Sequence, residues 1–332
     1  MKYVVTGAAG FIGSHLAERL LAEGHEVIGI DNFADYYEER LKRRNLARCL
    51  DTAGFTLIEA DLLTLDLPRV LEGAEAVFHQ AAQAGVRASW GENFRIYTDF
   101  NILGTQRLLE AARATRLPKF VYASSSSVYG DASQLPARED ATPRPVSPYG
   151  VSKLAGEHLC CLYNRNFGVD AVSLRYFTVY GERQRPDMAF NRFLRWGAQG
   201  KPIQLYGDGE QSRDFTYVGD IVEANVLALK GRPGAVYNIG GGSRVTMNES
   251  IAIMERLVGR AFNVERLAVQ DGDVRHTAAD ITRAEKDLGY RPKVNLHEGL
   301  ARELAWLREE GLLGASRAGQ TPPSGAPEVR FG

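Results

Sequence analysis

The chain predicts an α/β protein, a doubly wound parallel sheet carrying a smaller α/β lobe, and three observations carry that prediction. Short β-branched runs alternate with longer amphipathic segments through the first half. A glycine-rich turn, Gly7-Ala8-Ala9-Gly10-Phe11-Ile12-Gly13, separates the first run from the first helical pattern. After about Val179 the rhythm changes, with less regular strands and more Gly, Pro and Arg.

Taken in order, the expected strands are 2–6, 26–30, 55–59, 76–79, 119–123 and 171–175, each short and rich in β-branched or aromatic residues. The main helical patterns between them are 11–23, 34–50, 97–114 and 148–167. A helix between successive strands is the crossover that parallel pairing needs. At 332 residues the chain exceeds the size at which one core keeps growing. It divides into a dinucleotide-binding domain at 1–180 and a mainly substrate-binding lobe at 181–314, leaving open a return of segments near 214–242 to the large domain. That lobe is expected over the sheet's C-terminal edge, where open α/β sheets bind ligands. The stretch 315–332, rich in Pro, Gly and Ser, reads as a disordered tail.

Hydrophobic residues make up 44% and charged residues 24%, an ordinary soluble composition. A formal net charge of −1 provides no global field for nucleic acid or an anionic membrane, so neither is expected as a partner. Any anionic ligand then depends on local arginines. Cys49, Cys160 and Cys161 form neither a disulfide framework nor a metal motif, and no metal is expected. The chain begins on a strand-like KYVVT, with no signal peptide or membrane span in sight, which points to the cytoplasm.

The glycine spacing is GxxGxxG. Gly7 suits the tight turn, Gly10 lets a pyrophosphate approach the backbone, and Gly13 lets helix and strand pack closely, while the helix start offers its positive end to phosphate. This is the turn of a Rossmann-type sheet. Asp31 ends the second strand, eighteen residues beyond Gly13, where a carboxylate can hydrogen-bond ribose hydroxyls and repel a 2′-phosphate, favouring NAD over NADP. The competing reading is a turn aspartate before Asn32. Asp61-Leu62, after the third strand, could likewise hold the adenine.

Tyr149 and Lys153 stand four residues apart and so share a helix face. A nearby ammonium, helped by a cationic nicotinamide, lowers a phenol's pKa and suits it to act as a base. Alone, YxxxK is common and mostly structural. Here a row of serines, Ser124 to Ser127, ends a strand about twenty residues upstream.

With these motifs in order, the chain resembles the extended short-chain dehydrogenase/reductase family, in its nucleotide-sugar epimerase branch. TGAAGFIG, HQAA (79–82), SSSSVYG (124–130), YGVSK (149–153) and LRYF (174–177) carry the resemblance, which runs from Met1 to about Trp306. It implies Tyr149, Lys153 and Ser125 as the catalytic set, with Ser125 on the sugar hydroxyl and Lys153 on the nicotinamide ribose. It further implies NAD contacts at Gly7, Gly10, Phe11, Ile12, Gly13, Asp31, Asn32, Asp61, Leu62, Ala81, Ala82, Asn101 and Tyr176. Asn101 could equally cap a helix.

Dehydratases of this branch carry Asp-Glu where this chain has Ser126 and Ser127, and the decarboxylases a glutamate where Ser127 stands. Without an added carboxylate, epimerisation is the remaining reading: Tyr149 takes the 4-hydroxyl proton, the 4-keto sugar turns, and hydride returns to its other face. Thr178, where hexose epimerases have asparagine, and the run to Arg185 and Met188 look like the UDP-glucuronate 4-epimerases. There Thr178 and Arg185 would grip the C5 carboxylate, restraining a β-keto acid from losing CO₂. Arg192 is a second carboxylate or diphosphate candidate.

For UDP, the resemblance points to Arg87, Gln204, Tyr206, Arg213 and Asp273, with Arg213 foremost, and to the serine turn and Tyr149 around the sugar. Gln270 stands where hexose epimerases often carry arginine, leaving Arg275 an open candidate. The expected product pair is UDP-glucuronate and UDP-galacturonate. A UDP-glucose 4-epimerase, or an enzyme of dual specificity, is the alternative, ahead of a decarboxylase or dehydratase. A non-catalytic NAD sensor would be expected to have lost Tyr149 or Lys153. Family resemblance also implies a homodimer through helices near 97–114 and 148–167.

Overall fold

The computed structural model describes residues 1–313 apart from Ser133 and Asp271, so the expected tail at 315–332 lies outside the described residues. Six strands, β1 (Lys2–Thr6), β2 (Glu26–Asp31), β3 (Phe55–Glu59), β4 (Ala76–His79), β5 (Lys119–Ser125) and β6 (Ala171–Tyr176), build the large sheet with a seventh, Val236–Ile239. From one edge the order is Val236–Ile239, β6, β5, β4, β1, β2, β3, and every pairing is parallel. The expected doubly wound α/β sheet is therefore present.

The sequence explains why the central strands sit where they do. β4, β5 and β6 are buried at every position, as strands covered by helices on both faces must be. Alternation divides β1 between two cores: Tyr3 and Val5 pack on one face, Val4 on the other. The chain switches direction between β1 and β4. The turns after those two strands meet there, which opens the crevice that ligands use in such sheets.

Two helical expectations are corrected. The pattern over 34–50 becomes two short helices, Glu39–Asn45 and Ala47–Leu50. Upstream, Asp31 accepts from the Phe33 N–H at 2.9 Å and Asn32 from the Ala34 N–H at 3.1 Å, and such local bonds compete with a helix. The pattern over 97–114 is interrupted by a π-helical turn, Thr98–Leu103, between helices Phe94–Tyr97 and Gly104–Thr115. Asn101 lies inside that turn, not at a helix start.

Beyond β6 the chain forms paired short strands, Ile203–Tyr206 with Val264–Leu267 and Ser212–Asp214 with Arg244–Thr246. Helices Ala189–Ala198 and Met247–Val258 pack against them, and Leu296–Glu309 packs on those two helices. Helix Val218–Leu227 packs back against α1 (Phe11–Ala22), and Val236–Ile239 joins the large sheet. Among the described residues, no helix is long and apolar enough to cross a membrane, and no group of three His, Cys, Asp or Glu could hold a metal ion.

Candidate active site

A cleft with about 1270 Å³ of empty space, partly open to solvent, runs along the C-terminal ends of β1, β2, β4 and β5. Its floor is the glycine turn. Gly7 adopts φ +68°, and a Cβ there would lie 2.7 Å from the Ala81 nitrogen, so only glycine lets the two turns meet. α1 starts at Gly10 with no side-chain cap, leaving its first N–H groups free for an anion. Phe11, Ile12, Gly13, Asn32, Leu62, Ala81 and Ala82 also line the cleft.

Asp31 accepts from the Ala9 and Phe33 N–H groups, both at 2.9 Å, one on each oxygen. Burial raises its pKa, although these two bonds and nearby Lys42 oppose the rise. Asp61 accepts from Asn32 Nδ2 at 3.1 Å and from the Leu63 N–H at 2.8 Å, which ties the turns after β2 and β3 together.

The other end of the cleft holds Tyr149 and Lys153, with Ser125 beside Tyr149, the residues expected to move the proton. Helix Pro148–Phe167 begins on Ser147, whose hydroxyl accepts from the Gly150 N–H at 3.1 Å. Gly150 lies so close to the serine turn that a Cβ would stand 2.6 Å from the Ser127 carbonyl oxygen. That approach sets the Tyr149 phenol near Ser125, whose hydroxyl favours the phenolate. Ser125 in turn accepts from the Ser127 N–H and bonds the Ser127 hydroxyl, both at 3.1 Å.

The expected lowering of the phenol includes a cationic nicotinamide, and the protein's own groups by themselves do not produce it. Burial raises Tyr149, outweighing the Ser125 hydrogen bond and the positive charge of Arg185. Lys153 is buried, and its ammonium donates to the Ala123 carbonyl at 2.9 Å. Lacking an acidic partner, it is lowered by burial to about 8. The neighbouring cation acting on the phenol is Arg185, which lines the same cleft.

Several expected site residues stand behind or beside this cleft. The buried Asn101 side chain accepts from the Gln83 N–H at 2.7 Å and donates to the Gln83 carbonyl and the Ser152 hydroxyl at 3.0 and 2.9 Å. It thereby fastens the turn after β4 to the Tyr149 helix. Tyr176 lines the cleft, and its hydroxyl bonds Asn225 and Gln80. Ser126 and Thr178 have no side-chain hydrogen bond among the described residues, and Thr178 offers its carbonyl to Thr216 at 2.9 Å.

The residues proposed for UDP form a separate group, with Arg87 from the segment after β4 and the others from the chain beyond 181. Arg87 pairs with Asp273 at 2.6 Å and lies over the Tyr206 ring, 4.1 Å from its centre. Arg192 reaches Gln204 at 3.4 Å, and Arg213 stands within electrostatic reach of Arg87 and Asp273. Arg275 pairs with Asp208 at the surface instead.

Sequence reasoning missed Tyr36, Lys42, Gln80, Gln83, Ser124 and Asp187. Of these, all but Asp187 line the cleft. Their local signal is position: Tyr36, Gln80 and Gln83 follow β2 and β4, Lys42 is on the helix Glu39–Asn45, Ser124 opens the serine row at the end of β5, and Asp187 stands beside Arg185.

Comparison with known proteins matches this geometry. Residues 3–240 fit the profile of the NAD dependent epimerase/dehydratase family. The chain belongs to that family. A Bacillus subtilis (strain 168) protein named as an uncharacterized UDP-glucose epimerase is 47% identical over 92% of this chain and 98% of its own. A UDP-glucuronate 4-epimerase from Thermodesulfobacterium geofontis is 41% identical over 92% of this chain and 96% of its own. The crystal structure of UDP-glucuronic acid 4-epimerase from Bacillus cereus, in complex with UDP-glucuronic acid and NAD, superposes with a TM-score of 0.91. It is 44% identical and covers 93% of this chain and 100% of that one.

Proposed function

We propose that the chain is an NAD-dependent UDP-glucuronate 4-epimerase that interconverts UDP-glucuronate and UDP-galacturonate through a 4-keto sugar. One observation carries the substrate assignment. The Arg185 guanidinium and the Tyr149 phenol face one cleft within electrostatic reach of each other, so a carboxylate could be held beside the acid-base group. The absence of a carboxylate at Ser126 and Ser127 supports epimerisation over elimination.

The cleft suits NAD. The Gly7 cradle and the uncapped start of α1 match a diphosphate, and each Asp31 oxygen keeps a lone pair for a ribose hydroxyl. Bound NAD supplies the acceptor and donor of the C4 hydride and, while oxidised, a positive charge close to the phenol. Tyr149 then takes the proton from the 4-hydroxyl and later returns it, with Ser125 orienting that oxygen. Lys153 holds the ribose, and Arg185 with Thr178 holds the C5 carboxylate in an orientation that disfavours C–C cleavage. Arg87, Arg192, Gln204, Tyr206, Arg213 and Asp273 take the UDP. The labour divides accordingly, with 1–180 holding the dinucleotide and the reacting end of the sugar, and 181–313 supplying Arg185 and most of the UDP contacts, joined by Arg87 from the segment after β4.

The name of the Bacillus subtilis relative favours a second reading, UDP-glucose as substrate. Incubating the NAD-loaded protein with each sugar nucleotide and following products by NMR decides between them. UDP-galacturonate should form from UDP-glucuronate, with little CO₂ and faster than UDP-glucose turns over. A faster hexose reaction would remove the uronate assignment.

We also infer a homodimer. Leu103, Val151 and Leu162 are exposed on the segments expected to pair, at 46%, 45% and 52%, and an apolar face of that kind favours burial against a second copy. Three free cysteines support a reducing, cytoplasmic setting.

A further inference from the structure

Arg185 does not stand alone in the cleft wall. Its side chain is only 19% exposed, whereas that of Asp187 is 43% exposed. Nε donates to Asp187 Oδ1 and Nη2 donates to Oδ2, both at 3.0 Å, a side-on bidentate pair. Tyr36, from the turn after β2, donates its hydroxyl to Asp187 Oδ2 at 3.3 Å. The Tyr36 ring lies 5.4 Å from the guanidinium carbon. Ring and carboxylate together set both the plane and the rotation of the guanidinium.

A guanidinium has two edges that can each receive a carboxylate. Asp187 occupies the edge made by Nε and one Nη2 hydrogen. Nη1 and the outer Nη2 hydrogen form the other edge, and among the described residues no acceptor takes it. We propose that Asp187 and Tyr36 are positioning residues that set substrate specificity, holding Arg185 so that its free edge meets the C5 carboxylate of the sugar. The inference rests on the uronate reading above and deepens it. Preorganisation is the physical reason. A free arginine must give up side-chain rotamer freedom to grip a ligand, whereas this one is already ordered. A neutral hydroxymethyl group at C5 makes no bidentate contact, so the same device gives it little benefit. Tyr36 also lines the cofactor cleft, which connects the clamp on the sugar to the turn beside Asp31.

The test compares Asp187→Asn, Asp187→Glu, Tyr36→Phe and Arg185→Ala in the full-length, NAD-loaded enzyme. The probes are UDP-glucuronate as substrate and UDP-glucose as substrate or competitive inhibitor. Asp187→Asn should raise KM for UDP-glucuronate about 5- to 10-fold, as expected for losing one charge-assisted pair, and leave the UDP-glucose constants within about twofold. Tyr36→Phe should shift the same KM in the same direction by about 2- to 3-fold, because it removes one long hydrogen bond. Asp187→Glu should recover part of the loss, which damage to the fold alone would not produce. An unchanged uronate-to-hexose ratio in both Asp187→Asn and Tyr36→Phe overturns the proposal. A lower KM for UDP-glucuronate also overturns it, since Asp187 would then compete with substrate for Arg185. If Asp187→Asn fails to fold, Tyr36→Phe still decides. The two readings fail differently: a wild-type enzyme that prefers UDP-glucose sinks the uronate assignment. Loss of uronate preference in Arg185→Ala, with its retention in Asp187→Asn and Tyr36→Phe, sinks only this one.

Discussion

At the residue scale, the proposed proton transfer depends on groups that the protein alone leaves in the wrong state. Burial raises the Tyr149 phenol, so in the proposed mechanism its activation draws on the positive charge of Arg185 and of the oxidised cofactor. Tyr149→Phe should leave NAD binding intact and lower kcat by about 10³-fold or more, as removal of an acid-base group does. Calorimetry for NAD and product NMR for turnover check both halves. Lys153 provides a pH signature. Its pKa is lowered to about 8, so it is an ammonium below that pH and neutral above it. Turnover of the NAD-loaded enzyme should therefore fall on the alkaline side with a midpoint at or below about 8, and Lys153→Met should lose that limb as well as most activity.

At the element scale, the site depends on how closely two backbones approach. The start of helix Pro148–Phe167 rests on the serine turn after β5 because Gly150 has no side chain. Gly150→Ala would place a methyl carbon 2.6 Å from the Ser127 carbonyl and 2.9 Å from Pro145, so the helix start must move. A displacement of about 1 Å between Tyr149 and Ser125 is expected to cost about 10²-fold in kcat while circular dichroism shows a folded protein. Unchanged kcat would show that the approach is not needed for catalysis. The π-helical turn Thr98–Leu103 works in the same direction. It sets Asn101 where it can bond the turn after β4 and the Tyr149 helix together.

At the scale of the whole molecule, the inferred homodimer makes a separate prediction. Wild-type protein should run as a dimer in light scattering, and Leu162→Glu, which puts a charge on an exposed apolar face, should run as a folded monomer. A monomeric wild type would remove the inference. The centre of the sheet is insensitive to that question, since β4, β5 and β6 are buried within one chain.

The amino-acid sequence by itself determined the parallel sheet, the glycine turn and the Tyr149–Lys153 pair. Each rests on short-range periodicity or on spacing along one element, which the local backbone expresses without help from distant residues. Only the tertiary structure decided what surrounds Arg185. Tyr36 and Arg185 meet across the cleft though 149 positions apart in the chain, as the Tyr36–Asp187 bond spanning 151 positions requires. The irregular backbone at 32–38 and 98–103 likewise came from side-chain bonds and packing that helical periodicity does not encode. Contacts made by chain closure are not legible in local pattern, because their partners are set by topology and not by neighbours in sequence.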